Sequence, residues 1–166
     1  DASRRLCMGG SLFYSSHFNA RVKTSGLFDE VFVPINPGNA GLAVGVAIHA
    51  SGGVRRPVTP FLGPAYSAED IKATLDNCKL SYEYCSDREV VDSTVRDLIA
   101  GHLVGWFQGR MEWGHRALGN RSILANPHSR YVLDNLNTFL KQRERHRAYG
   151  LSVLEEDVGT YFDGPR

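Results

Sequence analysis

A chain of 166 residues, 42% of them hydrophobic, is long enough for one packed domain or parts of two and too apolar for wholesale disorder. No apolar run approaches the roughly eighteen residues of a membrane span, no signal-peptide pattern stands at the start, and three cysteines (Cys7, Cys78, Cys85) without CxxC spacing argue against a disulfide framework or a zinc site. The net charge of +1 conceals an asymmetry: residues 110–147 carry eight Lys/Arg against three acids, a local +5 that leaves −4 for the rest, and this suggests an anionic partner.

A reducing cytoplasm suits this composition. The chain starts at Asp1 in front of an apolar stretch and stops just after a helix-like EEDVGTYF, so it is expected to be a piece of something longer. Residues 4–52 read as strand (RRLCM), glycine turn (Gly9, Gly10), helix (about 14–25), strand (31–34), loop and helix (about 40–50), an alternating α/β pattern. The second helix, AGLAVGVAIHA, is apolar on nearly every side and is expected to be buried, its Ala and Gly positions permitting close packing.

Residues 51–66 are rich in proline and glycine and mark a boundary between domains 1–56 and 57–166. Ser67 opens a helix with capping-box spacing, SAED, running to about Asn77. A strand at 80–85 is expected next, then a helix capped by Asp87 whose Val90, Val91, Val95, Leu98 and Ile99 share one face, ended by Gly101. The remaining expectations are a strand at 103–108, a short strand SILA, a helix from about Ser129 to Arg145, and a strand at 150–154. Tyr131, Val132, Asn135, Leu136, Phe139 and Leu140 would form the inner stripe of that last helix.

Four stretches could carry chemistry. CMGGSLFY brings backbone N–H groups toward a helix start, which suits an anion and equally suits a tight connection. NPGNAG places Asn36 and Asn39 at a strand-to-helix junction, where an Asn cap is a sufficient structural reason. GRMEWGHRALGNRS spaces Arg110, Arg116 and Arg121 among glycines at 109, 114 and 119; guanidinium forks match phosphate or carboxylate oxygens, although Arg110 and Glu112 could simply pair. LKQRERHRAYG sets Lys141, Arg143, Arg145 and Arg147 at or past a helix end, with Lys141 and Arg145 on one face, more cations than the helix dipole needs. The six histidines show neither HxxxH nor HxH spacing.

MGGSLFYSSHFNARVKTSGLFDEVFVPINPGNAGLAVGVAI resembles the actin-like, Kae1-like half of the NodU/CmcH/TobZ carbamoyltransferases. GWFQGRMEWGHRALGNRSILANP with LNTFLKQRERHRAYGLSVLEED is similar to the YrdC-like half of the same family, so the likeness covers nearly the whole chain. The resemblance implies the end of an actin-like α/β domain joined to part of a YrdC-like domain, mixed α/β throughout. It implies an enzyme that makes carbamoyl adenylate from carbamoyl phosphate and ATP, then moves the carbamoyl group to a hydroxyl of a sugar, antibiotic or nodulation factor. Carried over residue by residue, Arg116, Lys141 and Arg147 would hold phosphate and carbamoyl oxygens. Arg143 would complete a K-x-R pair, Ser152 would follow in the next strand, and Arg110, Glu112 and Arg121 would order the loop or add binding contacts. Gly9 and Gly10 match the adenosine-phosphate segment.

Several positions depart from the pattern. Asn39 stands where the family's GDAG has an aspartate that helps hold a divalent metal (Fe2+ or Mg2+), which lowers the expected metal affinity. His115 replaces a proline, RERHRAYGLS replaces RExFRPFAPS, and Ser15 replaces the asparagine after the paired glycines, although Asn19 remains. Two other readings stay open: a basic RNA-binding module of YrdC type, disfavoured by arginines set among glycines rather than exposed aromatics, and a degenerate interaction domain.

Overall fold

The computed structural model describes residues 4–53 and 59–163. The described residues are mixed α/β, with helices and two small sheets. It divides into two compact units, Asp1–Pro60 together with Val153–Arg166, and Phe61–Ser152. The boundary expected at 56/57 lies outside the described residues.

In the first unit β1 (Arg5–Cys7) lies parallel to β2 (Glu30–Phe32), with Leu6 opposite Val31. A parallel pair needs a crossover, and α1 (Ser16–Lys23) supplies it. This helix is shorter than the expected 14–25. Gly10, at φ +123, leads into a 3-10 turn over Ser11–Tyr14, and only then does the Ser15 side chain accept the Phe18 N–H to start the α-helix. Met8 is buried and donates its N–H to the Phe32 carbonyl at 2.9 Å, extending the pairing past β1.

α2 (Asn39–Ala50) forms as expected and ends in a Schellman motif, Gly53 N–H to Ile48 and Gly52 N–H to His49, with Gly52 at φ +76. Its expected burial is not found. Val44 and Ile48 are half-buried, whereas Leu42 and Val46 are each 67% exposed. One small sheet cannot cover a helix that is apolar all round. Its first turn packs so tightly that a Cβ at Gly41 would overlap the Asn36 carbonyl oxygen, while a Cβ at Gly45 would meet nothing. Gly41→Ala should therefore cost more than about 2 kcal/mol, whereas Gly45→Ala should stabilise by up to about 1 kcal/mol. Equal melting temperatures for the two variants would overturn that assignment of roles.

In the second unit α3 (Ala68–Asn77) carries the expected capping box: Ser67 Oγ accepts the Asp70 N–H at 3.1 Å and the Asp70 carboxylate accepts the Ser67 N–H at 3.1 Å. It ends in a second Schellman motif with Lys79, rather than glycine, at φ +54. A lysine there costs more than glycine. The strand expected at 80–85 is absent, because no second strand pairs with that segment. α4 (Asp87–Ile99) is capped by Ser86, one residue before the expected Asp87, since Ser86 and Glu89 make the reciprocal box. Gly101 ends it as expected, at φ +84. The valines of its apolar stripe, and Ile99, are exposed.

β3 (Val104–Phe107) pairs antiparallel with β4 (Arg121–Leu124), Gly105 opposite Ile123, and the arginine-rich loop joins them. The helix expected over 129–145 is shorter and irregular: α5 (Val132–Asp134) passes into a π-helical segment, Asn135–Leu140, and stops. The wider π turn breaks the 3.6 period. Leu136 and Asn137 become buried, while Tyr131, Leu140 and the 74%-exposed Phe139 turn out to solvent against expectation. Residues 150–154 form no strand. The chain closes with a 3-10 turn (Glu155–Asp157) and α6 (Val158–Tyr161), both in the first unit. Among the described residues no helix is long and apolar enough to cross a membrane.

Candidate functional site

The glycine–arginine loop is organised by a carboxylate. Glu112 is 3% exposed, and its Oε1 accepts the backbone N–H groups of Leu118 (2.6 Å), Asn120 (3.0 Å) and Arg121 (3.3 Å). Burial is the largest single influence on this group and pushes its pKa up. The N–H groups of Leu118, Glu112 itself, Asn120 and Arg121 together outweigh burial and hold the carboxyl below its ordinary 4.5. Amides at 118–121 that could have faced a bound anion are thus used internally. The recurring glycines have a backbone reason: Gly109, Gly114 and Gly119 all sit at positive φ.

Arg110 and Glu112 do not pair. Arg110 donates from Nε to the Gly63 carbonyl (3.0 Å) and from Nη2 to Leu62 (3.1 Å), beside reciprocal backbone bonds of Gly63 to Met111 and Met111 to Pro64. Asn120 Nδ2 donates to the Arg110 carbonyl at 2.7 Å, and Arg121 Nη2 donates to Gly114 at 2.8 Å. Arg110 and Arg121 therefore tie the loop together, and Arg116 stands exposed within it.

The second basic segment is organised by an amide. Asn137, at 0% exposed, donates from Nδ2 to the carbonyls of Arg145 (3.2 Å) and Arg147 (3.0 Å). Its Oδ1 accepts from Arg143 Nε and the Tyr149 hydroxyl, both at 2.8 Å, and its own carbonyl accepts the Arg143 N–H at 2.8 Å. The Arg143 guanidinium lies 4.6 Å from the centre of the Tyr149 ring. Gln142, at φ +47, makes the reversal.

None of the four cations is inside a helix, so Lys141 and Arg145 do not share a helical face as expected. Lys141 caps the π segment and is exposed. Arg145 pairs with Asp134 (3.2 Å) and Arg147 with Glu144 (3.2 Å). Glu144 is held below its ordinary value by its own backbone N–H and then by Arg147. Ser152 is exposed in irregular chain, not in a strand.

A cavity of about 620 Å³ lies in the same unit, walled by apolar side chains including Ile123, Val132, Leu136 and Leu151, with Tyr149, Arg130 and the Arg145–Asp134 pair. Arg116, Lys141 and Arg147 are not among its lining residues. The sequence reading missed Asn137 and this cavity; nothing in the run NLNTFL, which holds Asn135 as well as Asn137, singles out the second asparagine.

In the first unit the paired glycines meet the 36–38 segment. The Gly10 N–H donates to the Pro37 carbonyl at 2.7 Å, so it is spent within the fold rather than offered outward, whereas Gly9 faces open space. The Tyr14 hydroxyl donates to Asn36 Oδ1, and its ring lies against Gly38. Asn36 is buried and its Nδ2 has no partner among the described residues. Asn39 is exposed at the start of α2, and no group of three or more His, Cys, Asp or Glu side chains is placed to hold a metal ion among the described residues. One neutral amide oxygen is a poor ligand set for Fe2+ or Mg2+.

Residues 95–166 match the family described as carbamoyltransferase C-terminus. Nodulation protein NolO of Bradyrhizobium diazoefficiens is 35% identical over 97% of this chain and 31% of that protein. Nodulation protein U of Sinorhizobium fredii is 33% identical over 96% of the chain and 28% of that protein. The 3'-hydroxymethylcephem-O-carbamoyltransferase of Streptomyces clavuligerus is 32% identical over 95% and 29%, respectively. The chain thus spans under a third of the length of the curated relatives it matches.

Proposed function

We propose that this chain, whose residues 95–166 match the family described as carbamoyltransferase C-terminus, is part of an O-carbamoyltransferase acting through carbamoyl adenylate. In this reading one water cleaves carbamoyl phosphate to inorganic phosphate and carbamate, and a carbamate oxygen then attacks the α-phosphorus of ATP and displaces pyrophosphate, leaving carbamoyl adenylate. The carbamoyl group then passes to a hydroxyl of a small-molecule acceptor. Residues 57–166 belong to the YrdC-like part and 1–56 to the actin-like part of that enzyme.

The observation that carries the reading is a pair of cation-bearing loops in one unit, each fixed from inside by a buried polar side chain: Glu112 under the Arg116 loop and Asn137 under 141–147. Arg116, Lys141 and Arg147 would bind the phosphate and carbamoyl oxygens. Their charges stabilise negative charge that moves during phosphoryl transfer without any side-chain nucleophile. Arg143, Arg110 and Arg121 support those three by shaping the backbone beneath them. Gly9 and Gly10 would lie along the nucleotide in the transfer step.

The test is isotope exchange between pyrophosphate and ATP in the complete protein. Exchange that requires carbamoyl phosphate supports the reading. Exchange without it, or none at all, overturns it. Saturable binding of duplex RNA in place of nucleotide would replace it with the nucleic-acid alternative.

A further inference from the structure

We infer that Asn137 is the positioning residue that sets where the cations of residues 143–147 point, an inference that rests on the carbamoyl-transfer reading of this site. The case starts from an apparent conflict: the segment 141–147 carries four cations and one acid in seven residues, and such a run in irregular chain has every electrostatic reason to spread apart. Here it is folded back on itself. The amide that folds it is the described residue with the least exposure, 0%.

Each end of the Asn137 side chain has a separate task. Nδ2 holds the carbonyls of residues 145 and 147, two positions apart, so the backbone between them is fixed. Oδ1 holds the side chain of Arg143, with Tyr149 as the second donor and as the ring beneath the guanidinium. The Asn137 Oδ1 and Nδ2 are thus saturated by four bonds, and a buried amide with all its capacity used rigidifies its surroundings. Arg143 is consumed as a strut, and Arg147 is left on a backbone that Asn137 alone anchors from its side chain.

The π-helical turn is part of the device. In a regular α-helix the apolar residues around it would share the buried face at 3.6 spacing; the wider turn rotates Asn137 inward beside Leu136. An aspartate at 137 would keep the acceptor for Arg143 and Tyr149 and remove both donors to the backbone. A phenylalanine at 149 would remove one donor and keep the ring.

In the complete protein, Asn137→Asp should raise KM for carbamoyl phosphate at least tenfold in the exchange assay, more than it lowers kcat, with hydrogen exchange accelerated over 143–149 and unchanged over α4. Tyr149→Phe should shift KM the same way by about threefold with its melting temperature nearly kept. A lower melting temperature with unchanged KM in Asn137→Asp would make the residue structural only and overturn the inference. If Asn137→Asp does not fold, Tyr149→Phe decides, and an unchanged KM there overturns it. Wild-type protein without exchange sinks the carbamoyl-transfer reading itself, and the positioning role with it; wild-type exchange with both variants normal sinks the positioning role alone.

Discussion

Replacing Arg116 with alanine, or Lys141 with methionine, should lower carbamoyl-phosphate-dependent ATP/pyrophosphate exchange by about 10²–10³-fold, a loss of roughly 2.7–4 kcal/mol of transition-state stabilisation. Both side chains are exposed, and residue 141 caps the π segment through its backbone N–H, which methionine keeps, so Lys141→Met should leave thermal stability within about 0.5 kcal/mol of wild type. That separation makes the result readable: a dead enzyme with a normal melting curve has lost a ligand contact. Arg110→Met makes the contrast, because Arg110 spends its Nε and Nη2 on the Gly63 and Leu62 carbonyls. It should melt early and keep a measurable kcat. Exchange within twofold of wild type in Arg116→Ala would remove that residue from the proposed site.

Glu112→Ala should cost about 3 kcal/mol, because three backbone N–H donors would lose a charged acceptor in a buried place. For a unit of this size that is a fall of more than about 10 °C in Tm. Glu112→Gln, which keeps the shape and loses the charge, should fall between the two. The same carboxylate predicts a pH dependence whose sign is fixed. Its pKa in the folded chain lies below the ordinary 4.5, so its stabilisation is fully present above that value and is lost as pH falls through it toward the depressed folded pKa. Wild-type protein should therefore lose stability on acidification below about 4.5 more steeply than Glu112→Gln does. Parallel pH profiles for the two proteins would show that the carboxylate is not the anchor of the loop.

Local chemistry was legible in the residues, and long-range cover was not. Ser67 with Asp70 announces its helix start because a capping box closes within four residues, and Gly101 announces a stop because a left-handed residue is needed there. Ser86 displaced Asp87 as a cap by the same local logic, one position away. The segments 80–85 and 150–154 have strand-like composition, yet a strand exists only where another lies beside it, and sequence alone cannot supply the neighbour. The stripe in α4 and the apolar surround of α2 are correct as patterns; what covers a pattern is a separate fact about packing.

The two residues that organise the basic loops escaped for opposite reasons. Glu112 sits two positions from Arg110, and a nearby opposite charge is the obvious partner on paper; the folded loop gives it three amides instead. Asn137 lies between Leu136 and Thr138 at a place where the helical period itself changes, so periodicity assigned the burial to Asn135, Leu136, Phe139 and Leu140 instead. The arginines, by contrast, were visible as a group from spacing and charge, although the structure divides them between tying the fold and facing solvent.

Because the Glu112 carboxylate already fills the amide crook of its loop, that loop is a finished mould before any guest arrives. On the proposed reading, a triphosphate or acyl phosphate would meet a backbone that Glu112 already holds, so less of its attraction is lost to ordering the chain. Capture should then be a single kinetic event whose observed rate climbs in direct proportion to added nucleotide, without the plateau that a slow rearrangement imposes.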